Sequence, residues 1–202
     1  MNGLSLTDRL CAAGYNDCSP QTPMPWRVRA IGTCVLLLSI AVRVPGAQAP
    51  ADEYRLKAAF IQRFPEFVTW PPSAFETRDT FELCVANPSP FGTALTELTA
   101  GESLHGRAIA VREVDLGESL ESCHVLFVGG PMDGEVRTYL QRAHALPILT
   151  VGESPAFLDQ GGVIGLRMVD GRVGFDVSLT SAQRAGLQLS SQILRLALQV
   201  KN

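Results

Sequence analysis

Residues Val125-Leu126-Phe127-Val128 form a continuous apolar run, opened by Cys123-His124 and closed by Gly129-Gly130-Pro131. The run is too short for a helix, and chain breakers cut it off, so it reads as a strand buried on both faces. Strands of that kind lie in the middle of parallel sheets covered by helices on both sides. This stretch therefore restricts the fold to a layered α/β architecture. The cysteine that opens it is a second constraint, taken up below.

A length of 202 residues suffices for one domain with a real core but is short for two. Hydrophobic residues make up 46% and charged residues 18%, which is a globular and not a disordered composition. The N-terminus reads as processing signal. Trp26-Arg27-Val28-Arg29 is a short basic segment, Ala30 to Val42 is an apolar run of signal-peptide length, and Ala47-Gln48-Ala49 is an A-x-A cleavage site. A spanning helix needs about 20 apolar residues, and Arg43 ends this run early. Cys34 lies inside the run, where a lipoprotein cysteine would close it. The expected organisation is an extension and cleaved signal over 1–49, with Met24 as the start of a conventional signal peptide, and an exported domain over 50–202.

From Pro50 to Asn202 the chain carries 13 Lys+Arg against 18 Asp+Glu, a net charge of −5. That argues against nucleic acid or an anionic membrane as partner. Cys11, Cys18 and Cys34 leave with the N-terminus, so Cys84 and Cys123 remain. Two cysteines in an exported chain most simply form a disulfide. The rivals are a metal site with His124, which lacks further ligands at a recognisable spacing, and a pair of free buried thiols.

In chain order, Asp52 is a candidate N-cap for a helix with Leu56, Phe60, Ile61, Phe64 and Phe67 at helical spacing, ended or kinked at Pro65. Strands are expected at Phe81–Ala86, Ala108–Val114, the Cys123 run and Pro147–Val151, with helices at Phe91–Thr99, Gly134–Ala145 and Glu153–Asp159. Val163–Val169 and Arg172–Val177 flank Asp170-Gly171, a strong hairpin signal. A long terminal helix is expected from Thr180 to Gln199, with Thr180 and Gln183 as a capping box and Leu189, Ile193, Leu196 and Val200 as its stripe. The fold class is thus α/β: one layered domain with a mostly parallel central sheet, a C-terminal antiparallel hairpin and a long C-terminal helix.

Catalytic motifs are absent. There is no G-x-S-x-G, Walker A or H-E-x-x-H, and Gly161-Gly162-Val163-Ile164-Gly165 runs into a strand, without the helix N-terminus that cradles phosphate. His105, His124 and His144 have no ligand spacing. Asp133, Glu135 and Glu153 follow strand ends, where open α/β sheets place ligands, but read equally as helix N-terminal charges. Asp176 faces away from Phe175 if its strand alternates; it is either a solvated edge carboxylate or a charged contact beside an apolar patch.

Six segments, taken in order, are similar to a known family: YRLKAAFIQRFPEFVTWPPSAF (54–75), FELCVANPSPFGTAL (81–95), SCHVLFVG (122–129), PILTVGE (147–153), GGVIGL (161–166) and VGFDVSLTSAQRAGLQLSSQILRLA (173–197). They resemble the YfiR family of periplasmic proteins over nearly all of 52–200. The resemblance implies an α/β domain without cofactor that represses an inner-membrane diguanylate cyclase by binding its periplasmic sensor domain. It also implies sequestration by an OmpA-type outer-membrane lipoprotein, a homodimeric state in some members, and redox control.

Cys84 and Cys123 match the family's disulfide positions; the second cysteine pair of some members is missing here. Asp176 matches the acidic position of the family's F-[DE]-[IV] motif on the partner-facing side, and Ile164 and Ala182 fall near the same surface. The final helix has Gln188 and Ser190 where the family often has basic or His residues, so ligand contacts there do not carry over. A competing reading is a periplasmic small-molecule-binding module with a pocket near Gly129-Gly130 and Gly152-Glu153. A secreted enzyme is the weakest reading, since no acid–base pair or nucleophile constellation can be named.

Overall fold

The computed structural model describes residues 49–76, 79–131 and 133–202. The basic segment, the apolar run and Cys11, Cys18 and Cys34 lie outside the described residues. Helix α1 (Ala49–Arg63) turns Ala58 and Ile61 inward, while Leu56 faces out. It starts earlier than expected, so Asp52 sits inside its first turn, where a negative charge favours the helix dipole, and not at the cap. Pro65 cannot continue the helix, and the chain passes into a 3-10 turn, Phe64–Phe67. Strand β1 (Val68–Thr69) and a second 3-10 turn (Pro72–Phe75) follow.

The sheet is then built from β2 (Thr80–Ala86), β3 (Ser103–Leu104), β4 (Arg107–Val114), β5 (Val125–Val128), β6 (Leu149–Gly152), β7 (Ile164–Val169) and β8 (Arg172–Ser178). Helix α2 (Ala94–Thr99) links β2 towards β4, and α3 (Gly134–Ala143) links β5 to β6. The strand order, completed by a C-terminal strand β10 (Gln199–Lys201), is β10-β8-β7-β6-β5-β2-β4-β3. Strands β4, β2, β5, β6 and β7 run parallel, and β8 returns antiparallel to β7. The β7–β8 turn is Asp170-Gly171, both with positive φ (50° and 74°), the conformation that matches the right-handed twist of a two-residue hairpin.

Side-chain alternation divides the core into two layers. Leu83, Val85, Val125, Phe127, Leu149 and Val151 pack on the face covered by α1 and α2. Cys84, Ala86, Leu126, Val128 and Ile148 pack on the other face, with Val136, Tyr139 and Leu140 of α3. Each fully buried Leu or Phe in these layers contributes roughly 1.5–3 kcal/mol relative to exposure. The central run is therefore buried on both sides, as its composition requires.

Two expected helices are not formed. Residues 153–159 make turns that thrust Phe157 into the core, its ring wedged between Gly152 and Gly162. A Cβ at either glycine would lie 2.3 or 2.2 Å from that ring, so both positions must be bare. The long terminal helix is also replaced. Helix α4 (Leu179–Arg184) is capped by Ser178, whose Oγ accepts from the Ser181 N–H, and not by the Thr180/Gln183 box. It stops at Gly186 (φ +69°) in a Schellman motif: the Leu187 N–H donates to the Ala182 carbonyl and the Gly186 N–H to that of Gln183. Strand β9 (Gln188–Leu189) then pairs with β1, helix α5 (Ser191–Leu196) follows behind Ser190 as N-cap, and β10 joins β8. The stripe at Leu189, Ile193, Leu196 and Val200 is no single face: Ile193 is buried while Leu196 is 61% exposed.

Candidate functional site

The connections from β2 and β5 leave the sheet on opposite faces, α2 on one side and α3 on the other. Adjacent parallel strands whose connections diverge in this way leave a crevice at their carboxyl ends, the place where open α/β sheets bind ligands. Here it is a cleft of about 350 Å³. One wall is the turn after β2 (Asn87, Pro88, Pro90), another the Gly129-Gly130-Pro131 turn after β5, and Tyr54 and Glu153 close the base.

Glu153 follows β6 and is nearly buried. Its Oε1 accepts hydrogen bonds from the Tyr54 hydroxyl (2.9 Å) and the Gly130 N–H (3.1 Å), and its Oε2 accepts from Lys57 Nζ (2.5 Å). Lys57 also meets Glu53 at 2.6 Å, one helical turn earlier. Burial alone would raise the Glu153 pKa, but the hydrogen bonds from Lys57, Gly130 and Tyr54 outweigh it and hold the carboxyl below its ordinary value. Burial alone would lower Lys57, but its bonds to the two glutamates hold the ammonium above its ordinary value. Burial and the bond to Glu153 push the Tyr54 hydroxyl up. The cluster is a fixed charge arrangement that ties α1 to the sheet.

Asp133 is the N-cap of α3, its Oδ1 accepting from the N–H groups of Glu135 and Val136 at 3.0 Å each. His124 is structural. Its Nδ1 accepts from the Glu82 N–H (3.0 Å), so Nε2 carries the proton and donates to the Ala74 carbonyl (3.1 Å), and the ring stacks on Phe75 and Phe81. Both nitrogens are engaged, which leaves no lone pair for a metal. Among the described residues no group of three His, Cys, Asp or Glu could hold a metal ion.

Cys84 and Cys123 form a disulfide, Cα atoms 5.7 Å apart, from the middle of β2 to a position two residues before β5. Arg112 Nη2 lies 3.8 and 3.7 Å from the two sulfurs. Asp176, in β8, is paired with Arg167 at 3.1 Å and is flanked by β7 and β10, so it is not on a sheet edge. Ile164 and Ala182 do not lie on that surface. Both are buried in the core layer under α1, because β7 alternation turns Ile164 towards Val177 and Phe175, away from the Arg167 face.

A second concavity is apolar. Phe60, Phe64, Phe67, Phe175, Ile193 and Leu196 line a groove of about 310 Å³ between α1, β8 and α5. Phe175 and Asp176 are neighbours in β8, so this groove and the Asp176–Arg167 pair lie on opposite faces of the sheet. Sequence reasoning did not single out Tyr54 or Lys57. The available signal was a lysine inside the apolar stretch Leu56–Phe60, one turn after Glu53, a position that calls for a buried partner.

The strand order, with helices on both faces, defines a doubly wound α/β domain with a cleft at the strand switch. The chain belongs to the YfiR/HmsC-like family, which it matches over residues 54–198. Solved structures are more distant. A conserved domain protein from Vibrio cholerae is 12% identical, with a TM-score of 0.46, over 73% of this chain and 60% of that one. An ABC domain in complex with L-Trp from Streptococcus pneumonia is 14% identical, with a TM-score of 0.43, over 61% of this chain and 56% of that one. The chain thus spans about three-fifths of each.

Proposed function

We propose that this chain is a periplasmic regulator that acts by protein contact, holding a membrane-anchored diguanylate cyclase in its inactive state through the cyclase's periplasmic sensor domain, and that an OmpA-type outer-membrane lipoprotein relieves the repression by sequestering it. The observation that carries this reading is membership of the YfiR/HmsC-like family over residues 54–198. The regulator works by binding and not by catalysis. Repression then requires tighter binding to the cyclase's inactive conformation than to its active one.

The Phe60–Phe64–Phe175–Leu196 groove offers the apolar surface such a contact needs, and the half-exposed Arg167 beside Asp176 offers charge on the opposite face. No helix among the described residues is long and apolar enough to cross a membrane.

Intracellular cyclic di-GMP, measured in the wild type, a clean deletion and a complemented deletion, tests the reading. A rise on deletion that complementation reverses supports repression; unchanged levels while the protein is expressed sink it. Leu196→Asp, at an exposed position, and Asp176→Ala, at a half-buried one, should each weaken repression while the protein remains folded. A second copy of the chain is the rival occupant of the groove, and light scattering on purified protein distinguishes the two.

The cleft favours a second reading, a binding module that passes a small-molecule signal to a membrane receptor.

A further inference from the structure

The cleft at the carboxyl ends of β2 and β5 has a size typical of small-molecule sites, about 350 Å³. Its charge is one-sided. Asp133, Glu135 and Glu153 line it, and no lysine or arginine does among the described residues. Lys57, outside the lining, is shared between Glu153 and Glu53 at 2.5 and 2.6 Å. Of the three lining carboxylates, Glu153 alone is paired with that ammonium, and Asp133 and Glu135 keep their charge.

Backbone donors beside the cleft are also engaged. A Gly-Gly-Pro turn leading into a helix is a place where free backbone N–H groups would cradle phosphate or carboxylate. Here the protein's own carboxylates occupy those donors: Gly130 N–H donates to Glu153, and the N–H groups of Glu135 and Val136 donate to Asp133. The remaining walls include Pro88, Pro131, Val128, the Tyr139 ring and Asn87, whose side-chain amide donates to Asp115; the Tyr139 hydroxyl is turned away to the Val114 carbonyl.

We propose that this cleft binds a small organic ammonium ion, whose charged head lies among Glu135, Asp133 and Glu153 and whose carbon skeleton packs on the proline and Tyr139 walls. This rests on the second reading above, that the cleft takes a ligand, and is independent of whether the protein represses a cyclase. Cation–carboxylate attraction in a partly desolvated cleft supplies the preference for charge sign, and the apolar walls supply the preference for an organic body over a bare metal cation. Because Tyr54 and Glu153 connect the cleft floor to α1, an ammonium bound there touches the helix that also forms one side of the apolar groove.

The test is calorimetric titration of the purified exported domain, disulfide intact, with 1,5-diaminopentane and 2-phenylethylamine, against pentanoate and 3-phenylpropanoate as anions of similar size. Glu135 is exposed and lies in the first turn of α3, so Glu135→Gln and Glu135→Lys keep the domain folded, which circular dichroism checks. Saturable binding of at least one amine and of neither carboxylate, weakened about tenfold by Glu135→Gln and abolished by Glu135→Lys, is the expected result. Equal binding of amines and carboxylates, no binding of either amine, or amine binding indifferent to Glu135→Lys overturns the assignment. The cyclic di-GMP measurement is read separately: a wild-type protein that represses but binds neither amine removes this site and leaves the regulator reading standing.

Discussion

Lys57 Nζ lies 2.5 Å from Glu153 Oε2, and the two side chains are only 5% and 14% exposed. The middle of α1 is thereby tied to the end of β6, across a separation of 96 residues. Removing Lys57 leaves a buried carboxylate without its counterion, and removing Glu153 leaves the buried ammonium with Glu53 alone. Lys57→Ala or Glu153→Ala should therefore destabilise the domain by about 3 kcal/mol, read as a shift in the urea midpoint. An unchanged midpoint would mean that water screens the pair in solution.

The same pair sets an acid dependence. The Glu153 carboxyl is held below its ordinary value in the folded state, so the unfolded chain takes up its proton first as pH falls. The stabilisation is complete above the unfolded value of about 4.3 and is lost as pH falls through the lower folded value. Stability measured between pH 6 and pH 3 should drop more steeply in the wild type than in Glu153→Gln. Parallel curves would refute the assignment of the shift.

Phe157 needs both of its glycine neighbours. Gly152→Ala or Gly162→Ala places a methyl within 2.3 Å of the ring and should cost about 1–3 kcal/mol, as overpacking does. Combined with Phe157→Leu, the cost of Gly152→Ala should shrink, since the two changes share one space. Strict additivity in that double-mutant cycle would show that the ring is not the obstacle.

Reduction of Cys84–Cys123, or its replacement by two alanines, releases a 39-residue separation in the unfolded chain. The expected loss is about 3–4 kcal/mol in the chain-entropy account. Chemical denaturation of the oxidised, reduced and double-alanine proteins measures it, and equal stability of all three would place the bond's role outside folding.

His124 offers a test of the metal alternative. With both ring nitrogens bonded and the ring stacked between Phe75 and Phe81, His124→Ala should cost about 2–4 kcal/mol through lost bonds and packing. Zinc should leave the wild-type melting temperature unchanged, because the ring has no free acceptor; a zinc-dependent rise would contradict this geometry.

The local sequence carried much of the fold. The Val125–Val128 run demanded burial on both faces, and the two apolar layers supply it. Asp170-Gly171 demanded a two-residue hairpin, since two consecutive positive φ angles suit few other pairs. Pro65 ended α1 near where its missing N–H required. These are properties of a few adjacent residues, and no distant partner can overrule them cheaply.

The C-terminal region was legible only in part. Leu189, Ile193, Leu196 and Val200 keep helical spacing, but Gly186 and the Ser190 cap divide the segment, and pairing of β9 with β1 and of β10 with β8 reclaims residues that propensity assigns to a helix. Likewise Glu153 reads as a helix N-terminal charge in sequence, yet its partners come from α1 and from the turn after β5. By itself the sequence determined the α/β class, the central buried strand and the hairpin. Only the tertiary structure decided that Ile164 and Ala182 are core, that Asp176 is paired with Arg167, and that Tyr54, Lys57, Gly130 and Glu153 meet at one cleft. The physical reason is that burial and ion pairing depend on which strands lie side by side, and that order is set by long-range packing, which no local pattern encodes.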